Sequence, residues 1–181
     1  MKPRAECITV SIQPRIIKQF IRTMAKQIQV SKIFNAPVDM LWKVWTDPEL
    51  VKRWWGPKYF TSPVAIIDFR VGGRSLVSMQ APPEMGGRQH YSIWEYVTII
   101  PGKTIEFIQN LADAEGNKVA PTSVGMPSDF PVEIKTVVQF REVDNHQTEM
   151  TITEYAEFGS ISHFAQIGLE QSIDKMAAIF E

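Results

Sequence analysis

The spacing of apolar residues changes from a strand pattern to a helix pattern near the start of the regular part of the chain. Ile28 and Val30 alternate with polar neighbours, which predicts a strand that runs to Phe34. From Val38 to Trp45 the apolar residues recur every three or four positions, which is the spacing of one helical face. Pro37 suits the first turn of this predicted helix, because its missing N–H would be unpaired there in any case.

A second short helix and then a series of strands are predicted next. Asp47 and Pro48 suit an N-cap and the first helical position, and Gly56 ends the helix. Beyond it the apolar period falls to two. The predicted strands cover Val64–Phe69, Arg74–Gln80, Gln89–Ile100, Lys103–Leu111, Val132–Val143 and Thr148–Glu157. The run from Ala112 to Pro131 predicts a long loop, which is either a lid or binding loop, or a flexible hairpin tip.

The last segment, Ser162–Phe180, predicts a helix with one apolar stripe. The stripe consists of Ala165, Leu169, Ile173, Met176 and Phe180. An antiparallel sheet with short turns is apolar on one face, and this helix is the main element left to cover that face. We therefore predict an α+β fold in which a curved antiparallel sheet of about six to seven strands wraps around a long C-terminal helix, with two short helices after the first strand. A curled sheet that grips a helix leaves a hollow, so we expect an internal cavity.

Composition and charge exclude several classes of function. The chain has 181 residues, of which 44% are hydrophobic, and its formal net charge is −1. These values are typical of one globular domain and argue against a basic nucleic-acid-binding surface. No apolar run is long enough to span a bilayer. Cys7 is the only cysteine, so an internal disulfide is impossible, and we expect a cytoplasmic protein with no metal and no cofactor.

Residues 1–23 differ from the rest of the chain in charge. They contain five basic residues and one acidic residue, Glu6. We interpret residues 1–23 as an N-terminal extension, non-native or disordered, and place the domain at residues 24–181 with Met24 as its start. The alternative is a basic amphipathic segment that contacts a membrane or a partner helix.

Two carboxylates share the strand parity of apolar residues. Glu95 has the parity of Tyr91 and Ile93, and Glu154 has the parity of Ile152. Because strand side chains alternate between faces, both acids are candidates for the apolar side of the sheet. A buried carboxyl without a partner has a raised pKa and suits general acid or base catalysis. The alternative is a β-bulge that shifts the parity, or a basic side chain that pairs with the acids.

Several motifs together resemble a known family. They are Phe34–Pro37, Val44–Pro48, Trp54–Pro57, Asp68–Arg74, Asp113–Asn117 and Gly168–Ala177. These motifs are similar to those of START-like (SRPBCC, Bet v 1-like) domains, and most closely to the group named after the activator of the heat-shock protein 90 ATPase. The resemblance covers about Gln27 to Phe180. It implies a helix-grip fold whose cavity, in the wider superfamily, holds lipids, sterols, polyketides or hormones, and it transfers no catalytic residue.

Three hypotheses follow for the function. The first is the binding of a small hydrophobic or amphipathic molecule or lipid in the internal cavity. The second is a protein-interaction module that contacts a chaperone. The third is an enzyme of the cyclase or hydrolase type that acts on an aromatic or polyketide-like substrate with Glu95 and Glu154. We favour binding over catalysis, and free sheet edges also allow a homodimer.

The binding hypothesis selects candidate ligand-binding residues on the helices, on the sheet and around the predicted opening. Aromatic residues dominate the set, because they exceed what a small core needs, and the two acids would orient a polar group of the ligand. The candidates are Trp54, Trp55, Phe60, Tyr91, Ile93, Glu95, Phe107, Phe140, Met150, Ile152, Glu154, Phe164, Gly168 and Ser172. For each of them, ordinary packing is the alternative.

Overall fold

A computed structural model describes residues 27–181, which form seven antiparallel strands and three α-helices. The strands are β1 (Gln27–Phe34), β2 (Ala65–Ile66), β3 (Arg74–Gln80), β4 (Gln89–Ile100), β5 (Thr104–Ala112), β6 (Ile134–Asp144) and β7 (Gln147–Tyr155). They lie in one sheet in the order β1-β7-β6-β5-β4-β3-β2, and this sheet is not closed. The predictions for residues 1–23 and for a domain start at Met24 lie outside the described residues.

The helices are α1 (Val38–Thr46), α2 (Pro48–Trp54) and α3 (Ser162–Ala177). Helix α2 begins as predicted, because the Asp47 side chain accepts a hydrogen bond of 2.9 Å from the backbone N–H of Glu49. Two short helices therefore follow β1, and one long helix ends the fold. This is the predicted helix-grip α+β fold. No helix within residues 27–181 is long and apolar enough to cross a membrane.

Two predicted elements differ from the structure by three residues at one end, and the other strands differ by two residues or fewer. The predicted strand over Val64–Phe69 is reduced to the two residues of β2. Its flanking N–H groups donate to side chains instead of a strand partner, since those of Val64 and Asp68 bond to the hydroxyls of Ser78 and Ser75. Helix α3 ends three residues before the predicted limit, where N–H groups bond to carbonyls three residues back and tighten the last turn.

The inner face of the sheet meets the helices through a group of closely packed rings. We call Trp45, Trp54, Trp94 and Phe107 the aromatic cluster. Their ring centroids lie 4.7 Å apart for Trp45 and Trp54, and 5.2 Å apart for Trp94 and Phe107. All four side chains are buried, and the Trp54 indole N–H donates to the carbonyl of Val44 over 2.8 Å. The cluster is the solid part of the core.

The long connection after β5 covers part of the outer face of the sheet. The Arg74 guanidinium donates to the carbonyl of Gly116 over 2.9 Å, and the Asn110 amide donates to the carbonyl of Val132 over 3.0 Å. Outward-facing residues beneath this connection, such as Ile93, are consequently buried. The sheet therefore has apolar positions on both faces in this region.

Candidate functional site

A cavity of about 240 Å³ lies between the inner face of the sheet and α3, beside the aromatic cluster. Its floor comes from the ends of strands, and it is formed by Met79, His90, Ser92, Gln109, Leu111 and Glu154. Phe164 lines the cavity and is 71% exposed, which places it at the mouth. The space therefore lies at one end of the interface between sheet and helix.

Helix α3 forms the wall opposite the strands, and small residues on it leave the space open. Gly168 has no side chain, and a Cβ built there would lie 3.9 Å from Cγ of Pro57, an ordinary contact. One turn later, the Ser172 hydroxyl donates to the carbonyl of Gly168 over 2.8 Å. That bond satisfies the hydroxyl within the helix, so Ser172 contributes a small, satisfied surface to the cavity.

Loops close the remaining sides of the cavity with apolar side chains. Trp55 and Pro57 follow α2, Met126 and Phe130 come from the long connection before β6, and Phe158 precedes α3. Phe130 and Phe158 meet edge to face with their ring centroids 6.1 Å apart. The lining is therefore mostly apolar and partly aromatic, as is typical of small-molecule sites.

Glu154 is the acidic side chain of the cavity. It lies on β7 opposite Ile28 of β1 and Thr136 of β6, in line with Met150 and Ile152 on the inner face. No side chain within residues 27–181 donates a hydrogen bond or forms an ion pair to its carboxyl group. Burial in these apolar surroundings raises the pKa of Glu154 to about 7. At neutral pH the cavity therefore holds a carboxyl group that is close to half ionised.

Other polar groups around Glu154 are also incompletely bonded. The hydroxyl of Thr136 and the indole N–H of Trp55 are buried without a partner in the described part of the chain. His90 also lines the cavity, and burial together with the nearby Arg88 lowers its pKa below the usual 6.5. The imidazole is consequently neutral at pH 7. Unpaired polar groups around an apolar space are the groups that a ligand would satisfy.

The described residues offer no evident metal centre. No group of three or more His, Cys, Asp or Glu side chains within residues 27–181 could hold a metal ion. The polar groups of the cavity are better suited to hydrogen bonding with an organic molecule.

The structure brings five of the predicted site residues to the cavity. They are Trp55, Glu154, Phe164, Gly168 and Ser172. They come from three parts of the sequence, namely the end of α2, β7 and α3, and the curvature of the sheet around α3 brings them together. Whether they bind a ligand stays a prediction.

Six predicted residues lie on or near the same side of the sheet but do not line the cavity. Trp54 and Phe107 belong to the aromatic cluster, and Phe140, Met150 and Ile152 are buried in the core beside it. The carbonyl of Phe60 accepts a hydrogen bond of 3.0 Å from Lys175. The large side chains pack solidly there, which leaves no space for a ligand.

Three predicted residues of β4 lie on the wrong face. Tyr91, Ile93 and Glu95 point to the outer face, because Trp94 between them packs into the aromatic cluster. Glu95 pairs there with Arg74 over 3.2 Å and with Lys118 over 2.7 Å. The parity prediction failed because apolar residues occupy both faces of β4 and because a bulge at residue 97 shifts the register.

Sequence reasoning missed several residues that line the cavity. His90 and Ser92 have the parity of Trp94, so the choice of the other face of β4 excluded them. Met126 and Phe130 lie in the long connection, where no period predicts the direction of a side chain. Ala165 and Leu169 belong to the predicted apolar stripe of the last helix, and that stripe was a usable signal.

Comparison with known proteins gives the family. The model of the "Activator of Hsp90 ATPase homolog 1-like protein" family matches residues 35–181. The chain belongs to this family. Its membership agrees with the START-like, helix-grip fold described above. No curated protein matches the chain.

Solved structures with the same fold come from several bacteria. The solution structure of a protein from Arthrobacter aurescens is 24% identical, with a TM-score of 0.72 and 87% of each chain covered. A crystal structure from Mycobacterium smegmatis is 23% identical, with a TM-score of 0.69, and covers 88% of this chain and 93% of that one. The AHSA1 protein of Silicibacter pomeroyi is 16% identical, with a TM-score of 0.64, and the match covers 84% of this chain and 96% of that one. At these identities the likeness concerns the fold alone.

Proposed function

We propose that the protein binds a small hydrophobic or amphipathic molecule in the cavity between the sheet and α3. The observation that carries this proposal is a mostly apolar space of about 240 Å³ that is lined by unpaired polar groups. A domain core normally packs without such voids, and a persistent void costs stability. Membership of a fold family that commonly binds ligands supports the same function.

The volume limits the size of the ligand. An engineered apolar cavity of about 150 Å³ holds benzene, so a cavity of about 240 Å³ suits a molecule of one or two rings or a short aliphatic chain. A sterol or a long-chain lipid would fit only if the cavity widened. The proposed ligand is therefore small, with an apolar body and a polar group directed to Glu154.

Mass spectrometry and calorimetry test this proposal directly. The protein, purified gently and sprayed under native conditions, is expected to carry a noncovalent adduct of low mass. In parallel, calorimetric titration with naphthylmethanol, a neutral two-ring probe, is expected to show saturable binding with one molecule per chain. A folded protein that carries no adduct and takes up no probe would contradict the proposal.

A second function has one specific observation in its favour. The unpaired carboxyl group of Glu154, with its pKa raised to about 7, suits a general acid or base in a cyclase or hydrolase type of reaction. Glu95 lies on the other face of the sheet, so Glu154 would act without it. If the molecule recovered from the protein is chemically changed on incubation, and Glu154→Gln stops the change, the protein is an enzyme.

A contact with a chaperone, a homodimer and a cytoplasmic location stay predictions of the sequence. β1 and β2 are the terminal strands of the sheet formed by residues 27–181, and a homodimer would use their outer edges. Size-exclusion chromatography with light scattering would measure the mass of the particle, and a monomer at micromolar concentration would contradict the dimer.

A further inference from the structure

Among residues 27–181, the lining of the cavity contains one acidic side chain and no lysine or arginine. Glu154 and His90 are the ionisable residues among those that line it. Two basic side chains that approach the lining are engaged with backbone carbonyls. Lys175 donates to those of Gly56 and Phe60 over 3.0 Å. Arg88 donates to the carbonyl of Val124 over 3.1 Å. The lining thus has a net charge between zero and −1.

The carboxyl group of Glu154 has unused capacity for hydrogen bonds. An ionised carboxylate offers about four acceptor sites, and none of them is filled by residues 27–181. Glu154 is partly buried. A charge that is drawn away from water without a partner is costly, and a donor supplied by a ligand would offset that cost. A ligand that carries a carboxylate would instead face repulsion from Glu154.

The aromatic rings around the cavity also favour a positively charged ligand. Trp55, Phe130, Phe158 and Phe164 all line the space. The faces of aromatic rings attract cations, and this attraction strengthens where water is excluded. Acidic and aromatic groups therefore act together in selecting positive charge.

We propose that the ligand is a small organic amine, whose apolar body fills the cavity and whose ammonium group bonds to the carboxylate of Glu154. The inference rests on the proposed function and narrows it to one chemical class. The neutral His90 adds no competing charge, and the mouth beside Phe164 gives the amine a route from solvent.

Three matched probes test the inference. Naphthylmethylamine, naphthylmethanol and naphthoate share one apolar body and differ in charge. By calorimetry at pH about 7.5, we expect the amine to bind about tenfold or more tightly than the alcohol, and the carboxylate to bind most weakly. Glu154→Gln is expected to remove the advantage of the amine over the alcohol, because the Gln amide oxygen still accepts a hydrogen bond but carries no charge. Glu95→Gln on the outer face is the matched control and keeps the preference.

The pH dependence gives a second readout that needs no variant. Because Glu154 ionises with a pKa of about 7, binding of the amine is expected to strengthen severalfold between pH about 6.5 and about 8.5. His90 on β4 faces the same cavity, and burial together with Arg88 lowers its pKa below the usual 6.5. The residues that meet Glu154 from β1 and β6, Ile28 and Thr136, do not titrate, and neither does Ser172 on α3. Binding of the alcohol is expected to change little.

The outcomes separate the two proposals. If the alcohol binds at least as tightly as the amine, or if the preference for the amine survives in Glu154→Gln, the amine inference is wrong and cavity binding stands. An amine affinity that does not rise with pH contradicts the inference in the same way. If none of the three probes binds to the folded wild-type protein, the proposed function fails and the inference fails with it.

Discussion

Two regions of the same interface differ sharply in how they are filled. At the aromatic cluster, the sheet and the helices meet through rings in close contact, and Trp94 has no exposed surface. At the cavity, the same strands and α3 leave a space of about 240 Å³. Trp55 lies at the boundary, since its ring packs against Trp94 and also lines the cavity.

The two regions are filled differently because successive inward-facing residues on the same strand differ in size and polarity. On β4 the inward residue next to Trp94 is Ser92, and on β7 the inward residue after Ile152 is Glu154. On α3, Gly168 and Ser172 supply little volume. The domain thus combines a solidly packed core with an open site. The boundary between the two regions lies within two residues along a strand.

The largest expected effect concerns the solid region. Trp94→Ala removes a fully buried ring from the aromatic cluster, and we expect it to lower the free energy of unfolding by about 3–5 kcal/mol, since Trp-to-Ala changes in cores have this range. Urea denaturation followed by circular dichroism measures the loss. Phe164→Ala at the cavity mouth is the matched control and should cost less than about 1 kcal/mol. Equal losses of unfolding free energy in the two variants would mean that the aromatic cluster and the cavity do not differ in packing.

The next effect concerns the charge in the cavity. Because the folded pKa of Glu154 is about 7 against an ordinary 4.5, the folded state holds this proton more tightly than the unfolded state. The contribution of Glu154 to the free energy of unfolding is therefore most favourable below pH 4.5. It falls as the pH rises to about 7 and is constant above that pH. The total change amounts to about 3 kcal/mol.

The difference in unfolding free energy between wild type and Glu154→Gln isolates this contribution from all other titrating groups. Urea denaturation at a series of pH values is expected to show the variant gaining relative to wild type as the pH rises. A difference that is independent of pH would mean that Glu154 is solvated or paired.

A smaller effect is expected on filling the cavity from α3. Gly168→Leu places a side chain in the space where the ligand would lie, and we expect the affinity for naphthylmethanol to fall about tenfold or more, equal to about 1.4 kcal/mol. Melting temperature is expected to change little, because the cavity accommodates the added side chain.

Gly168→Ala is the matched control for this change. Its Cβ would lie 3.9 Å from Pro57, so it should retain binding and gain about 0.5–1 kcal/mol of stability from its higher helix propensity. If Gly168→Leu lowers stability and binding together, Gly168 serves packing and does not shape a ligand site.

The smallest effect is expected on the outer face. Glu95→Gln breaks ion pairs with Arg74 and Lys118 that are partly exposed, and pairs of this kind contribute about 0–1 kcal/mol. We expect a loss of stability within that range, measured by urea denaturation, which shrinks further at high salt. A large loss of probe affinity in Glu95→Gln would show that the two faces of the sheet are not independent.

Sequence patterns were most informative where one face of an element is buried and the other is solvated. The bounds of β4, the start of α2 at Pro48 and the buried positions Leu169 and Ile173 of α3 agree with their predictions. The inward direction of Glu154 also agrees, because the pairing register of β7 runs unbroken from Met150 through Ile152 to Glu154. The family motifs gave the helix-grip arrangement as a whole.

Patterns were least informative where tertiary contacts bury both faces. Ile93 is 2% exposed on the outer face of β4, beneath the connection that follows β5, so its apolar character indicates burial but not which face is buried. The direction of Met126 and Phe130 depends on the path of the same connection, which has no regular period.

The sequence by itself determined the element order, the fold class and the apolar stripe of the last helix, because these depend on periodicity and on turn and cap residues within a few positions. Only the tertiary structure decided that Glu154 has no partner among residues 27–181 whereas Glu95 has two, and that the rings of the core stop short of Ser92 and Gly168. Pairing and empty volume depend on which distant side chains meet across the interface, and a linear pattern does not contain those distances.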